Sequence, residues 1–176
     1  MSENRDIGVS PRTVYHMRQE LLRLLESERS GRPPGESILG DRRLEELAGE
    51  WQRKYRTMRP AAACKLVEVL ARESGPEPAR FGVFVLTSLR RRWAEELWPE
   101  IERWAETLDD ALLLRLIARR VAAPVLQAFP GIVERMEGAA EPPGPRLSLL
   151  LAETARALHV TDPAAADRVD ALACRE

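Results

Sequence analysis

The middle of the chain carries apolar side chains at helical spacing. Over residues 79–128, apolar positions recur at offsets of three and four, which place side chains one above another on a single face of a helix. Each stripe must be buried against a neighbour, so the pattern predicts three consecutive helices that pack together. The stripes consist of Phe81, Phe84, Val85, Leu89 and Trp93, then Leu97, Ile101, Trp104, Ala105 and Leu108, then Leu113, Leu116, Ile117 and Val121.

Helix-start and helix-stop signals extend this pattern towards both ends of the chain. Ser10-Pro11 and Asp162-Pro163 each place a capping side chain before a proline at the first helical position. Pro124 is expected to kink or stop its helix, because it lacks an N–H and clashes with the carbonyl four residues earlier. The remaining predicted helices span about 10–27, 41–55, 60–73, 130–136, 146–159 and 163–173.

No stretch alternates apolar and polar positions as a half-buried strand does, so the predicted fold class is all-α. Helix pairs begin near residues 41, 79 and 110, a spacing of roughly 30–40 residues that is typical of helical repeats. This favours a HEAT-like α-solenoid, a short superhelix of antiparallel helix pairs, over a closed bundle. A Gly- and Pro-rich break falls at 30–37. The predicted organisation is a flexible N-terminus (1–9), helical repeats (10–137), a linker (138–146) and a C-terminal helical pair (147–176) that completes the same domain.

Composition narrows the classes of function. The 176 residues are 44% hydrophobic and 31% charged, with a formal net charge of −1. Such a balance argues against tight, sequence-blind binding to nucleic acid but permits a local basic patch. Lys54 and Lys65 are the only lysines, so 25 of the 27 basic residues are arginine. Arginine suits bidentate contact with phosphate, although a GC-rich genome produces the same bias.

Several kinds of site are not indicated by the sequence. Cys64 and Cys174 match no metal-ligand or redox spacing, and His16 and His159 have no ligand-type neighbours. There is no Gly-rich phosphate loop, no nucleophile motif and no apolar run long enough to span a bilayer. We therefore expect a cytoplasmic protein with no metal, no cofactor and no membrane partner.

A second pattern covers about residues 38–126. It consists of Gly40 with Leu44, Leu47 and Ala48, of Glu77 and Arg80 ahead of a helix that contains Leu86, of the basic stretch Arg90 to Arg92, and of Leu97, Ile101 and Trp104. This succession resembles the AlkD-like DNA alkylation repair family. Members of that family are HEAT-like α-solenoids, and the characterised ones excise alkylated purines from DNA. The resemblance implies a scaffold that holds duplex DNA.

The resemblance fails at the residues that carry the family's chemistry. Downstream of the last helix, the family usually shows an Asn-Trp pair and, four residues after the Trp, an Asp. That carboxylate stabilises the cationic sugar that develops as the purine leaves. Here Asp110, Ala111 and Arg115 occupy those three places, and an arginine opposes positive charge at the sugar. The resemblance therefore implies a shortened, catalytically degenerate member whose glycosylase activity is weak or lost.

A shifted register leaves only weak catalytic candidates, namely Trp104, Asp109 and Asp110. Trp104 lies on the apolar stripe of its own helix, which favours core packing over a platform for a ligand. Asp110 follows Thr107 at the spacing of a capping box, so capping of the third helix explains the aspartates better than catalysis. Trp98 faces away from the stripe and is a candidate for stacking on a ligand.

Arginines on successive helices are the candidate ligands for DNA phosphates. Consecutive helical positions point about 100° apart, so at most two of the three arginines at 90–92 share a face, and a solvated helix end is the alternative reading. Arg115 and Arg119 lie one turn apart. Collected on a concave face, such residues would grip duplex DNA without reading its bases. The predicted set is Arg42, Arg43, Arg90, Arg91, Arg92, Arg115 and Arg119.

Two other classes of function fit the same helices. In the first, the protein is a non-catalytic scaffold whose concave groove accepts a protein partner, and it should show an exposed apolar patch that includes Trp98. In the second, it is a self-associating helical bundle. Salt-sensitive binding to duplex DNA separates the DNA-binding hypothesis from both.

Overall fold

The computed structural model describes residues 11–31, 38–55, 57–139 and 141–175. These residues form helices and turns without a strand, which confirms the all-α class. None of the described helices has the length and apolar composition needed to cross a lipid bilayer. The predictions for residues 1–9, for a cap at Ser10 and for the break at 32–37 lie outside the described residues. The helices are α1 (Pro11–Ser30), α2 (Asp41–Lys54), α3 (Pro60–Leu70), α4 (Glu77–Ser88), α5 (Leu97–Thr107), α6 (Ala111–Ile117), α7 (Ala123–Ala128), α8 (Gly131–Glu137), α9 (Pro145–Leu158) and α10 (Pro163–Ala173).

The chain divides into two compact units, Met1–Val85 and Leu86–Glu176, and the division falls inside α4. In the first unit, α1 packs against α3 and buries Val14, Met17, Leu21 and Leu25. The α4 helix approaches α3 closely at Gly82, where an added Cβ would lie only 3.2 Å from the Cα of Val67. Trp51 of α2 meets Phe81 edge-on, with 6.3 Å between the ring centroids.

Helix α9 is the packing centre of the second unit. It contacts α5, α6, α7, α10 and the π-helical turn Ala118–Ala122. Its inward face buries Leu150, Leu151 and Leu158, and the Thr154 hydroxyl donates to the Leu150 carbonyl at 2.7 Å. The sequence pattern predicted that three consecutive helices over residues 79–128 pack together. In the second unit, α9 lies outside that stretch and contacts most of the other helices.

The first of the three helices predicted over residues 79–128 ends before its apolar stripe, which continues to Trp93. Helix α4 ends at Ser88, and Arg90–Arg92 form a separate 3-10 turn. At the break the Leu86 carbonyl accepts both the Leu89 N–H, at 3.0 Å, and the Trp93 indole N–H, at 3.1 Å. Trp93 is therefore buried from a turn and not from a continuing helix.

Pro124 does not stop its helix. The backbone remains helical from Ala111 to Ala128, and the five residues Ala118–Ala122 widen into a π-helical turn just before the proline. A π turn re-registers the hydrogen bonds, which accommodates a residue that has no N–H. The stripe prediction is also adjusted here, because Leu114 is buried while Leu116 is only partly so.

Candidate functional site

The two candidate arginines of the first unit are engaged in ion pairs. Arg42 contacts Glu46 at 3.2 Å, one turn along α2. Arg43 donates to both carboxylate oxygens of Glu28, at 2.8 and 3.1 Å. The hydrogen bond to Glu28 raises the pKa of Arg43 above its usual value. Arg43 thus joins α1 to α2, and its guanidinium is largely committed to that contact.

The three arginines at 90–92 lie in the 3-10 turn after α4, and all are exposed. Three residues complete one turn of a 3-10 helix, so the three side chains point about 120° apart. Trp93 packs inward directly after them. This run therefore cannot present a row of three parallel charges, which agrees with the solvated-end reading of the sequence.

Helices α6 and α9 bring together a cluster that the sequence only half predicted. Glu153 of α9 is 3% exposed, and its Oε1 accepts hydrogen bonds from Arg115 Nε at 3.2 Å and from Arg156 Nη1 at 2.7 Å. The arginine side chains reach outward, with 52% of Arg115 and 71% of Arg156 exposed. A buried carboxylate thus anchors two guanidinium groups that remain accessible to solvent.

Arg119 lies in the π-helical turn that directly follows α6. It lies four residues after Arg115, is exposed, and forms no ion pair within the described part of the chain. Four residues complete roughly one turn of either an α or a π helix, so the two side chains share a face. Glu153 itself pairs with Arg115 and Arg156, and Arg119 adds an exposed guanidinium one turn beyond Arg115. We call Arg115, Arg119, Glu153 and Arg156 the arginine cluster.

The members of the cluster differ in their surroundings. Arg156 also lines a cleft of about 370 Å³ with His159, Asp167 and Asp170. The two aspartates weaken the attraction of Arg156 for an anion, since opposite charges compete for it. The better anion ligands are therefore Arg115 and Arg119. The sequence pattern did not single out Glu153 and Arg156. The signal that could have identified them is the spacing of three residues between a glutamate on the apolar face of the predicted helix and an arginine, because side chains at this spacing can pair.

The weak catalytic candidates do not form a site. Trp104 is 0% exposed, so no ligand reaches its ring in this structure. Asp110 is the N-cap of α6 and accepts hydrogen bonds from the backbone N–H groups of Leu112 and Leu113, at 2.8 and 3.1 Å. Asp109 is paired with Arg146. One indole is in the core and both carboxylates are at the surface.

The prediction that the pair of aspartates caps α6 is confirmed for Asp110 but not for Asp109, and the predicted register was wrong. Asp110 is itself the cap, whereas a capping box would have placed Thr107 there. Thr107 ends α5 and donates its hydroxyl to the Arg103 carbonyl at 2.8 Å. Trp98 is also corrected, because only 4% of it is exposed and its indole N–H donates to Glu102 Oε1 at 2.8 Å.

A second polar cluster joins α1 to the end of α2 in the first unit. Glu20 accepts hydrogen bonds from Lys54 at 2.6 Å and from the Tyr55 hydroxyl at 2.5 Å. Burial raises the pKa of Glu20, but the bonds from Lys54 and Tyr55 outweigh it and the net pKa is lowered. Burial, followed by the bond to Glu20, raises the pKa of Tyr55 to about 12. The arrangement stabilises a helix contact.

Across the described residues, no group of three His, Cys, Asp or Glu side chains is placed to hold a metal ion. The described residues form an all-α protein in which Arg115 of α6 and Arg156 of α9 are exposed and pair with the buried Glu153. Comparison of the chain with models of protein families, with curated protein sequences and with solved structures finds no match.

Proposed function

We propose that this protein is an AlkD-like helical-repeat protein that binds the backbone of duplex DNA through Arg115 and Arg119, with Arg156 as a weaker contributor. In this proposal the helices form a short HEAT-like α-solenoid, and the arginine cluster lies on its concave face. The observation that carries the proposal is the geometry of the cluster, in which a buried carboxylate holds exposed guanidinium groups. The resemblance over residues 38–126 supports the choice of duplex DNA among polyanions.

The chemistry of the cluster suits phosphate. A guanidinium has five N–H donors, and Arg115 uses only Nε towards Glu153, so both of its terminal nitrogens remain available. A phosphate oxygen can accept from that fork while Arg119 approaches a neighbouring phosphate. Contacts of this kind fix a protein on the duplex but do not read sequence. Since the chain as a whole carries a net charge of −1, the binding is expected to be weak and strongly salt-dependent.

Glycosylase chemistry is weak or lost in this proposal. Ala111 is an exposed small side chain at the position where the resemblance expects a tryptophan. Arg115 occupies the position of the carboxylate and forms an ion pair with Glu153. A cationic sugar next to a guanidinium would be destabilised, so the cluster binds phosphate but does not promote departure of a base.

The test measures affinity for a short fluorescein-labelled duplex by anisotropy between about 50 and 200 mM salt. The slope of log K against log salt is negative, and each phosphate contact that is lost reduces its magnitude by about 0.9. Arg115→Gln plus Arg119→Gln should therefore reduce the magnitude of the slope by roughly 2. Arg168→Gln is the matched control for each of the single variants Arg115→Gln and Arg119→Gln, because it removes one charge from an exposed arginine that binds Glu137 through two hydrogen bonds.

Three outcomes would overturn the proposal. Duplex binding that is undetectable or insensitive to salt removes the DNA ligand altogether. Equal slopes for the double variant and for Arg168→Gln place the contact elsewhere. Efficient release of an alkylated purine by the native protein, which lacks the changes Ala111→Trp and Arg115→Asp, contradicts the proposal that glycosylase activity is weak or lost.

A non-catalytic scaffold for protein–protein interaction is the second candidate function. It is favoured by one observation, a groove beside Trp98 on α5 and α8 of the second unit. The arginine cluster and this groove carry opposite charge, so the two functions need different partners.

A further inference from the structure

A groove of about 480 Å³ lies between the start of α5 and the end of α8, entirely within the second unit. We call it the Trp98 groove. Its floor is apolar and includes the buried side chains of Trp98 and Ile132. Pro99, which is exposed, and Met136, which is half-buried, continue that apolar surface to the mouth. The volume falls in the range of grooves that hold small ligands or a few residues of a peptide.

The rim of this groove is acidic. Glu95, Glu96 and Glu102 line it together with one cation, Arg135. Arg135 contacts Glu95 at 2.9 Å and neutralises it. Glu96 is exposed and has no ion pair within the described part of the chain, while Glu102 accepts only the neutral indole N–H of Trp98. Two carboxylates beside an apolar floor therefore remain without a counter-charge.

We propose that the Trp98 groove is a docking site for a basic segment of a partner protein, which places an aliphatic side chain on the apolar floor and an arginine or lysine against Glu96 and Glu102. Charge complementarity selects this occupant. A nucleic acid would bring phosphate to an acidic rim, and an acidic peptide would meet like charge, which costs free energy. A purely apolar peptide would leave the two carboxylates uncompensated. The proposal does not depend on the DNA-binding function, which uses a different set of residues.

Trp98 provides the readout. Its indole N–H bonds Glu102 at 2.8 Å, so a cation that pairs with Glu102 changes the electronic environment of that proton. Four tryptophans give four indole signals in a ¹H–¹⁵N spectrum, and Trp98→Phe identifies the relevant one. The probe is an acetylated, amidated pentapeptide of alternating leucine and arginine, compared with peptides in which glutamine or glutamate replaces arginine.

The expected order of affinity is the arginine peptide, then the glutamine peptide, then the glutamate peptide. Exposed ion pairs contribute two- to fivefold each, so Glu96→Gln and Glu102→Gln should each weaken the arginine peptide by about that factor and leave the glutamine peptide unchanged. Both changes keep a side-chain oxygen, so the bond to Trp98 can persist in Glu102→Gln. Glu106→Gln, on the same helix but outside the groove, is the matched control and should have no effect.

Arg135→Gln should change the affinity for the arginine peptide in the opposite direction. It releases Glu95 and makes the rim more acidic, so the arginine peptide should bind about twofold more tightly. A groove that is merely damaged by mutation would lose affinity in every variant, whereas the charge mechanism requires a loss at Glu96 and a gain at Arg135. The proposal is overturned if the arginine and glutamine peptides bind equally, if neither shifts the Trp98 signal, or if Arg135→Gln weakens binding.

Discussion

Among the residues that the structure describes, each unit buries one glutamate, and the two glutamates have different partners. Glu77 in the first unit is 2% exposed and Glu153 in the second is 3% exposed. Glu77 accepts the backbone N–H of Leu39 with one oxygen and Arg29 with the other. Glu153 accepts two guanidinium groups on a single oxygen. The partners of Glu77 are a buried backbone group and a half-exposed cation, whereas both partners of Glu153 reach into solvent.

The two buried carboxylates therefore have different roles. Leu39 is fully buried, and without Glu77 its N–H would lose its side-chain acceptor, which is costly in a water-free interior. Glu77 thus ties the segment before α2 to the start of α4. Glu153 satisfies groups that water could satisfy equally well. Glu153 instead positions the side chains of Arg115 and Arg156. We therefore expect Glu153 to matter more for ligand binding than for the stability of the fold.

The largest expected effect separates the two glutamates directly. Glu77→Ala should lower the free energy of unfolding by about 2–4 kcal/mol, because it leaves the Leu39 N–H without its charged acceptor. Glu153→Ala should cost only about 1 kcal/mol, because Arg115 and Arg156 can turn to solvent. Urea denaturation followed by circular dichroism measures both.

Glu77→Gln refines this comparison, since it keeps an acceptor for the backbone N–H and removes the charge that pairs with Arg29. It should fall between the native protein and Glu77→Ala. The comparison is broken if Glu153→Ala proves as destabilising as Glu77→Ala, because Glu153 would then be a structural tie as well.

A smaller effect tests how closely the first unit is packed. Gly82→Ala adds a Cβ that would meet the Val67 backbone at 3.2 Å and the Leu70 side chain at the same distance. Overpacking outweighs the gain in helix propensity, so the expected cost is about 1–2 kcal/mol. Gly49→Ala is the matched control, because it lies inside α2 with nothing within 4 Å of its added Cβ. It should stabilise the protein by about 0.5–1 kcal/mol in the same urea assay. Stabilisation by both changes would mean that α3 and α4 are not in close contact.

The smallest effect concerns a third carboxylate, Glu20, which is only partly buried. The folded pKa of Tyr55 is raised from 10.0 to about 12, so the protonated phenol is favoured by folding. Its stabilising contribution is complete below pH 10 and is lost as the pH rises towards 12. The native protein should therefore be more stable than Tyr55→Phe at pH 8, and the difference should shrink between pH 10 and pH 12.

The acid side of the same contact has the opposite dependence. The pKa of Glu20 is lowered from 4.5, so its contribution is present above that value and is lost as the pH falls through the folded pKa. Urea denaturation of the native protein, Tyr55→Phe and Glu20→Gln across this range measures both limbs. A native-minus-Tyr55→Phe difference that stays constant up to pH 12 would show that the hydroxyl does not sense folding.

Much of the local structure was predictable from the sequence. The last helix was placed at residues 163–173 and lies at Pro163–Ala173, with Asp162 as a cap that accepts the Ala165 N–H at 3.1 Å. Capping and periodicity are properties of neighbouring residues, so a short window contains the relevant information. The end of α4 at Ser88 was not predictable in this way, because it depends on where the Trp93 indole finds an acceptor.

The sequence alone determined the all-α class, most helix positions, the buried stripes and the cap of α6, because each follows from periodicity and from side chains a few residues apart. The ion pairs between residues far apart in the chain depend on the tertiary structure. Arg43 meets a carboxylate 15 residues away and Arg115 meets one 38 residues away. No local pattern encodes such distances, since they arise when helices pack. The candidate site was therefore visible in the sequence as a set of cations, and helix packing added the contact between Arg115 and Glu153.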